Sequence, residues 1–207
     1  MRLELLLEES SAEAFLQGIL DKLIPAEVER HFIVFQGKKD LLDKLPSRLN
    51  AYRKWLPDDW RIVVLVDEDR QKNRCTALKK KLEDAARKAG FSTKSRPDAR
   101  NRFTVLNRIA VEELEAWFFG DVPALVTAYP GVSPNLSSQA PYRHPDQITG
   151  GTWEALERVL QKAGHFRSGL AKIEVARTIA AHMDPARNTS PSFRQFTVGL
   201  KALTAVP

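Results

Sequence analysis

Hydrophobic positions follow two rhythms along the chain. Leu3, Leu5, Leu6 and Leu7 form one short apolar run, residues 31–35 a second and residues 61–66 (Arg-Ile-Val-Val-Leu-Val) a third. Short runs rich in β-branched residues predict strands. The unbroken run at 61–66 predicts a strand covered on both faces, as at the centre of a parallel sheet. Between these runs the apolar spacing is helical: residues 10–23, stopped by Pro25, then 40–52 and 76–88, the last ended by Gly90. Ser10, with Glu13 three positions on, reads as the N-cap of a capping box. Residues 91–96 and 103–111 read as further strands, and 112–119 as a short helix closed by Gly120. This alternation predicts a mainly parallel, Rossmann-like α/β sheet flanked by helices. Residues 130–151, rich in Pro, Gly and Ser, read as an irregular loop, and 153–162, 170–182 and 192–203 as helices. We expect an α/β domain over 1–130 and a helical C-terminal extension over 131–207, packed on it as one compact unit.

The 207 residues are 43% hydrophobic, enough for a core of this size. No stretch approaches the roughly 18–20 unbroken apolar residues of a membrane span, and the charged N-terminus runs straight into a strand, which predicts no signal peptide and no membrane partner. Cys75 is the single cysteine. It excludes an internal disulfide and a cysteine-rich zinc site, and suits a reducing cytoplasm. The net charge of +6 is uneven: residues 70–108 carry 13 Lys/Arg against Glu83, Asp84 and Asp98, a net +10 that leaves −4 elsewhere. Such a block suits a polyanion, while Lys79-Lys80-Lys81 reads equally well as a solvated helix face.

Two acidic clusters stand at predicted strand ends: Glu8-Glu9 and Asp67-Glu68-Asp69. In α/β sheets ligands bind at the carboxyl ends of the strands. Carboxylates gathered there repel one another unless a cation lies between them, which points to a Mg²⁺-type site and chemistry on phosphates. Asp67 and Asp69, two apart in extended chain, face one side while Glu68 faces away. The alternative for each aspartate is a turn or helix cap, and for Glu8-Glu9 attraction to a helix N-terminus. Glu115 is the least expected acid. With Val111 as origin, Leu114 lies at about −60°, Phe118 at about −20° and Glu115 at about +40°, inside the apolar arc. A carboxylate there needs a partner, either an arginine such as Arg108 or the metal cluster. Glu112 and Glu113 are weaker candidates. The four histidines lack metal-ligand spacing, and no phosphate-binding glycine loop is present. Gly37-Lys38-Lys39 can offer cations to a phosphate or simply start a helix. Residues 184–192 read as a loop held by side-chain hydrogen bonds.

A Glu after the first strand and Asp-x-Asp after a later central strand resemble the Toprim fold of topoisomerases, primases and OLD-type nucleases. The resemblance extends through Gly37-Lys38-Lys39-Asp40-Leu41, then Arg108-Ile109-Ala110-Val111-Glu112-Glu113-Leu114-Glu115-Ala116-Trp117, and Tyr142-Arg143-His144-Pro145-Asp146. It ends in His182-Met183-Asp184 and Asn188-Thr189-Ser190-Pro191-Ser192-Phe193. Together these resemble the bacterial Toprim-like family catalogued as domain of unknown function four-two-seven-six, over nearly the whole chain, with Glu-Glu-Leu-Glu-Ala-Trp its most specific element. Members are often encoded beside AAA or ABC-type ATPases, and one branch supplies the nuclease of the PARIS anti-phage system. The resemblance implies that Glu8, Asp67 and Asp69 bind Mg²⁺ (or Mn²⁺) and carry catalysis, with Glu115 a further ligand or a structural partner. Two departures stand out: Glu9 where many Toprim members have Gly, and a longer, more basic stretch at 70–74. The leading expectation is a nuclease or phosphodiesterase on DNA or RNA, with Lys38, Arg70, Lys72 and Arg74 holding phosphates. The rival expectation is a non-catalytic module of an ATPase complex. Nothing in the chain opposes an oligomer.

Overall fold

The computed structural model describes residues 1–68 and 75–205. Four strands form one all-parallel sheet: β1 (Arg2–Leu7), β2 (Glu29–Val34), β3 (Trp60–Asp67) and β4 (Val105–Ala110), in the order β2-β1-β3-β4. Leu7 lies opposite Val34 on one side and Leu65 on the other, and Asp67 lies opposite Ala110. The register thus brings the ends of β1 and β3, and the start of the chain after β4, to one edge.

Alternate residues of each strand face opposite layers. Leu3, Leu5, Leu7, Val63, Leu65, Leu106 and Ala110 enter one core. Leu6, Ile62, Val64, Val66, Val105 and Ile109 enter the other, under α2 (Lys38–Tyr52) and α3 (Cys75–Lys88). Burial on both faces is what makes the strands read as continuous apolar runs. The first core is shared by α1 (Ser10–Ile19), α4 (Glu115–Phe119), α5 (Val122–Ala128), α6 (Thr152–Lys162), α7 (Lys172–His182) and α8 (Pro191–Thr204). α7 packs along α1, and α8 packs on β4. The C-terminal helices therefore form the second layer of the sandwich.

Three local expectations give way. α1 begins at Ser10 with Glu9 as an extended N-cap, so no capping box forms: Ser11 Oγ donates to Glu9 Oε1 at 2.5 Å, while Glu13 accepts from Gln17. Residues 91–96 do not form a strand. Thr93 and Arg96 close a tight turn, and the hydroxyls of Thr93 and Ser95 turn to the Glu83 carboxylate. α4 starts only at Glu115, because Glu112 takes a left-handed backbone (φ 64°) that breaks the chain direction after β4. α5 has no counterpart in the apolar periodicity; Asp121 starts it by accepting from Ala124 N.

Candidate functional site

The carboxyl edge of the sheet gathers acids from three chain segments. Glu8 follows β1, and its Oε2 accepts the Asp67 backbone amide at 3.1 Å. One acidic cluster is thereby tied to the other across adjacent parallel strands. Asp67, part-buried at the end of β3, is held well above the usual carboxylate range. Burial is the main cause, followed by the charges of Glu115, Glu8 and Glu9, while the Leu114 amide acts in the opposite sense. Glu115, buried at the start of α4, is raised to about 7, again by burial first, with Lys172 opposing and Glu113 and Glu9 adding to it. Arg108 does not pair with Glu115. Its Nε donates to the Gln195 carbonyl at 2.9 Å and Nη1 to that of Asn107. The acid on the apolar arc thus belongs with the other carboxylates.

The remaining acids of the two runs divide by task. Glu68 turns away, as the alternation requires, and its Oε1 accepts from Cys75 N at 2.8 Å, starting α3. Glu113 reaches across to α6, where its Oε2 accepts from Thr152 Oγ1 (2.9 Å) and Trp153 N (2.8 Å). It caps a helix whose own N-cap, Gly151, has no side chain to offer. Glu9 stays at the site, 3.8 Å from Lys172 Nζ.

Lys172 is the site residue that sequence reasoning missed. It opens α7, sits 4.6 Å over the Trp153 ring and offsets the charges of Glu9 and Glu115. A lysine at a helix start carries no sequence signal of where that helix docks. Lys38 begins α2, beside Gly37, whose amide donates to the Glu8 carbonyl at 3.0 Å. Asp69, Arg70, Lys72 and Arg74 lie outside the described residues.

The donors are all carboxylate oxygens, the set a hard divalent cation prefers. A cation at Asp67 would remove the repulsion that raises its pKa. Among the described residues no three acidic, histidine or cysteine groups stand close enough together to hold an ion; the pair Glu8 and Asp67 is what they provide. Three cations of the basic block are paired among the described residues: Lys79 with Glu83, Arg87 with Asp84 and Arg102 with Asp98.

The other motif residues lock the helical layer. Asp121, fully buried, receives Arg187 through Nε (2.6 Å) and Nη2 (3.0 Å) and also the Asp184 amide. Asn188 Nδ2 donates to the Trp117 carbonyl, and Asn188 Oδ1 accepts from Ser190 N. Asp146 accepts from Ser190 Oγ and Ser192 N at the start of α8. Residues 184–192 are thus held by side-chain hydrogen bonds.

A family model described as Domain of unknown function (DUF4276) matches residues 7–201. No curated protein and no solved structure matches the chain.

Proposed function

The chain belongs to the family described as Domain of unknown function (DUF4276), and from its acidic strand ends we propose that it is a Mg²⁺- or Mn²⁺-dependent phosphodiesterase of Toprim type acting on nucleic acid. One observation carries this reading. Asp67 ends a central strand, is joined to Glu8 through its own amide, and has its pKa raised first by burial and then by the charges of Glu115, Glu8 and Glu9.

On this reading Glu8, Asp67 and Asp69 would hold the ion. When bound, the ion polarises a phosphoryl oxygen and acidifies water. Glu8 completes the site or takes a proton from the attacking oxygen. Glu115, with a pKa of about 7, is matched to holding a proton on its carboxylate near neutral pH. Lys172 limits the negative charge beside Glu9 and keeps the site open to an anionic substrate. Lys38 at the start of α2 and Arg70, Lys72 and Arg74, which follow the second acidic cluster in the sequence, would supply phosphate contacts, so binding should weaken steeply with salt. The single cysteine supports a reducing, cytoplasmic setting, and the resemblance supports anti-phage defence with an ATPase partner. No helix among the described residues is long and apolar enough to cross a membrane.

The test is direct. Purified protein with Mg²⁺ or Mn²⁺ should cleave DNA or RNA, and Asp67→Ala should abolish cleavage while the fold survives. Equal residual activity in the two proteins sinks the proposal. A second reading, a non-catalytic module of an ATPase complex, draws on the lack of a three-acid cluster among the described residues. In that module the acids bind a metal structurally or not at all, so Mn²⁺ heat in a calorimetric titration together with cleavage, both lost in Asp67→Ala, supports the enzyme, and Mn²⁺ heat without cleavage, or no heat, supports the module.

A further inference from the structure

On the sheet face opposite the C-terminal helices, α2 and α3 leave an open groove of about 540 Å³ between them, and neither Glu8, Glu9, Asp67 nor Glu115 lines it. Its α3 wall is Ala77, Lys80, Lys81, Asp84, Ala85 and Lys88. These positions step by three and four, so they share one helix face. The small Ala77 and Ala85 leave space in the wall, while Leu82 and Ala86 pack the helix down onto the sheet. The α2 wall is Leu42, Leu45, Pro46 and Asn50, again one face. Pro46 lies inside α2 and has no amide hydrogen, so the Leu42 carbonyl loses its usual helical donor at the groove wall.

The rim is cationic. Lys80, Lys81 and Lys88 are exposed, and among the described residues none of them forms an ion pair. Lys79 of the same run instead turns inward to Glu83 and the Asn107 carbonyl. The one acid of the wall, Asp84, is taken by Arg87 at 3.1 Å. An apolar groove between two helices, edged along α3 by lysines that form no ion pair among the described residues, has the shape and charge that accept an amphipathic helix. The geometry points to a protein partner that lays a helix in this groove, with its apolar face inward and acidic residues on the flank that meets α3.

Two other occupants fit less well. Among the described residues no aromatic side chain lines the groove, so they offer no platform for stacking single-stranded bases. A second copy of this chain offers no matching apolar stripe: among the described residues its large exposed apolar side chains are Trp55, Ile173 and Val198, and these stand after α2, on α7 and on α8, not along one helix face. This inference does not depend on the proposed catalytic activity.

Fluorescence anisotropy of the full chain tests it with two labelled helical peptides of about 14 residues, the length of the groove walls. Both carry leucines on one face; one is flanked by glutamates, its twin by lysines. The glutamate peptide should bind, and the lysine twin should bind at least about tenfold more weakly. Ala77→Trp, which fills the groove from an exposed position, should weaken the glutamate peptide by about tenfold or more with an unchanged circular dichroism melt. The triple change Lys80→Glu, Lys81→Glu and Lys88→Glu should reverse the preference between peptides. Failure of the glutamate peptide to bind, equal affinity for both peptides, or indifference to Ala77→Trp overturns the proposal. So does a DNA or RNA duplex whose binding needs the three lysines and ignores Ala77→Trp, which assigns the rim to nucleic acid. Self-association abolished by Ala77→Trp likewise overturns it and assigns the groove to a second copy.

Discussion

Glu113 and Glu115 stand two positions apart in one acidic run and have opposite surroundings. Glu113 accepts two hydrogen bonds at the start of α6. Glu113→Ala should therefore cost about 1–2 kcal/mol, visible as a lower melting temperature, with the response to Mg²⁺ unchanged. Glu115 is buried among like charges. A carboxyl whose pKa is raised in the folded state binds its proton more tightly there than in the unfolded chain. Its stabilising contribution is complete below the ordinary value of 4.5 and is lost as pH rises through about 7. Asp67 acts in the same direction. Glu83, lowered to about 2 by Lys79, Ser95, Thr93 and Asn107 against its partial burial, acts in the reverse direction, but only below its ordinary 4.5. In metal-free buffer the protein should thus lose stability on the order of 3 kcal/mol between those limits for Glu115. Denaturant melts across that range should show a much shallower slope in Glu115→Gln. An unchanged slope would mean that the charge of Glu115 is satisfied in the fold.

At the scale of elements, the turn from α4 into α5 is closed by residues far away in sequence. Gly120 has no Cβ because Asn188 occupies that space: a Cβ built there would lie 2.1 Å from Asn188 Oδ1. Gly120→Ala should cost about 2–3 kcal/mol by overpacking. Asn188→Ala, which strips the Trp117 carbonyl and the Ser190 amide of buried partners, should cost about as much. Because the two residues touch, the double variant should be less damaged than the two losses combined, measurable as a coupling in equilibrium unfolding. The sequence identified Gly120 as a helix terminator but not as a contact, since a glycine that ends a helix and one that admits a neighbour look the same in one dimension.

At the scale of the whole molecule, the sheet depends on the C-terminal helices for one entire layer. Leu3, Leu5, Val63, Leu65 and Leu106 share a core with residues of α6, α7 and α8. A chain ended at residue 130 should therefore lack cooperative unfolding and near-ultraviolet circular dichroism. Arg187→Ala acts on the same layer: it leaves the fully buried Asp121 without its cation, though with the amides of Ala124 and Asp184, and should cost about 1–3 kcal/mol. The strand runs, the acids at their ends and the three C-terminal helices were legible because each is a periodicity or a cluster within a few adjacent residues. By itself the sequence determined the α/β class, the placing of Glu8 and Asp67 at strand ends and the anomaly of Glu115 on an apolar arc. The tertiary structure alone decided that Glu113 caps α6, that Arg108 turns from Glu115 to Gln195, that Lys172 arrives beside Glu9, and that α2 and α3 part into a groove. These outcomes depend on which faces pack together across long stretches of chain, and local patterning of apolar and polar residues does not encode a contact partner.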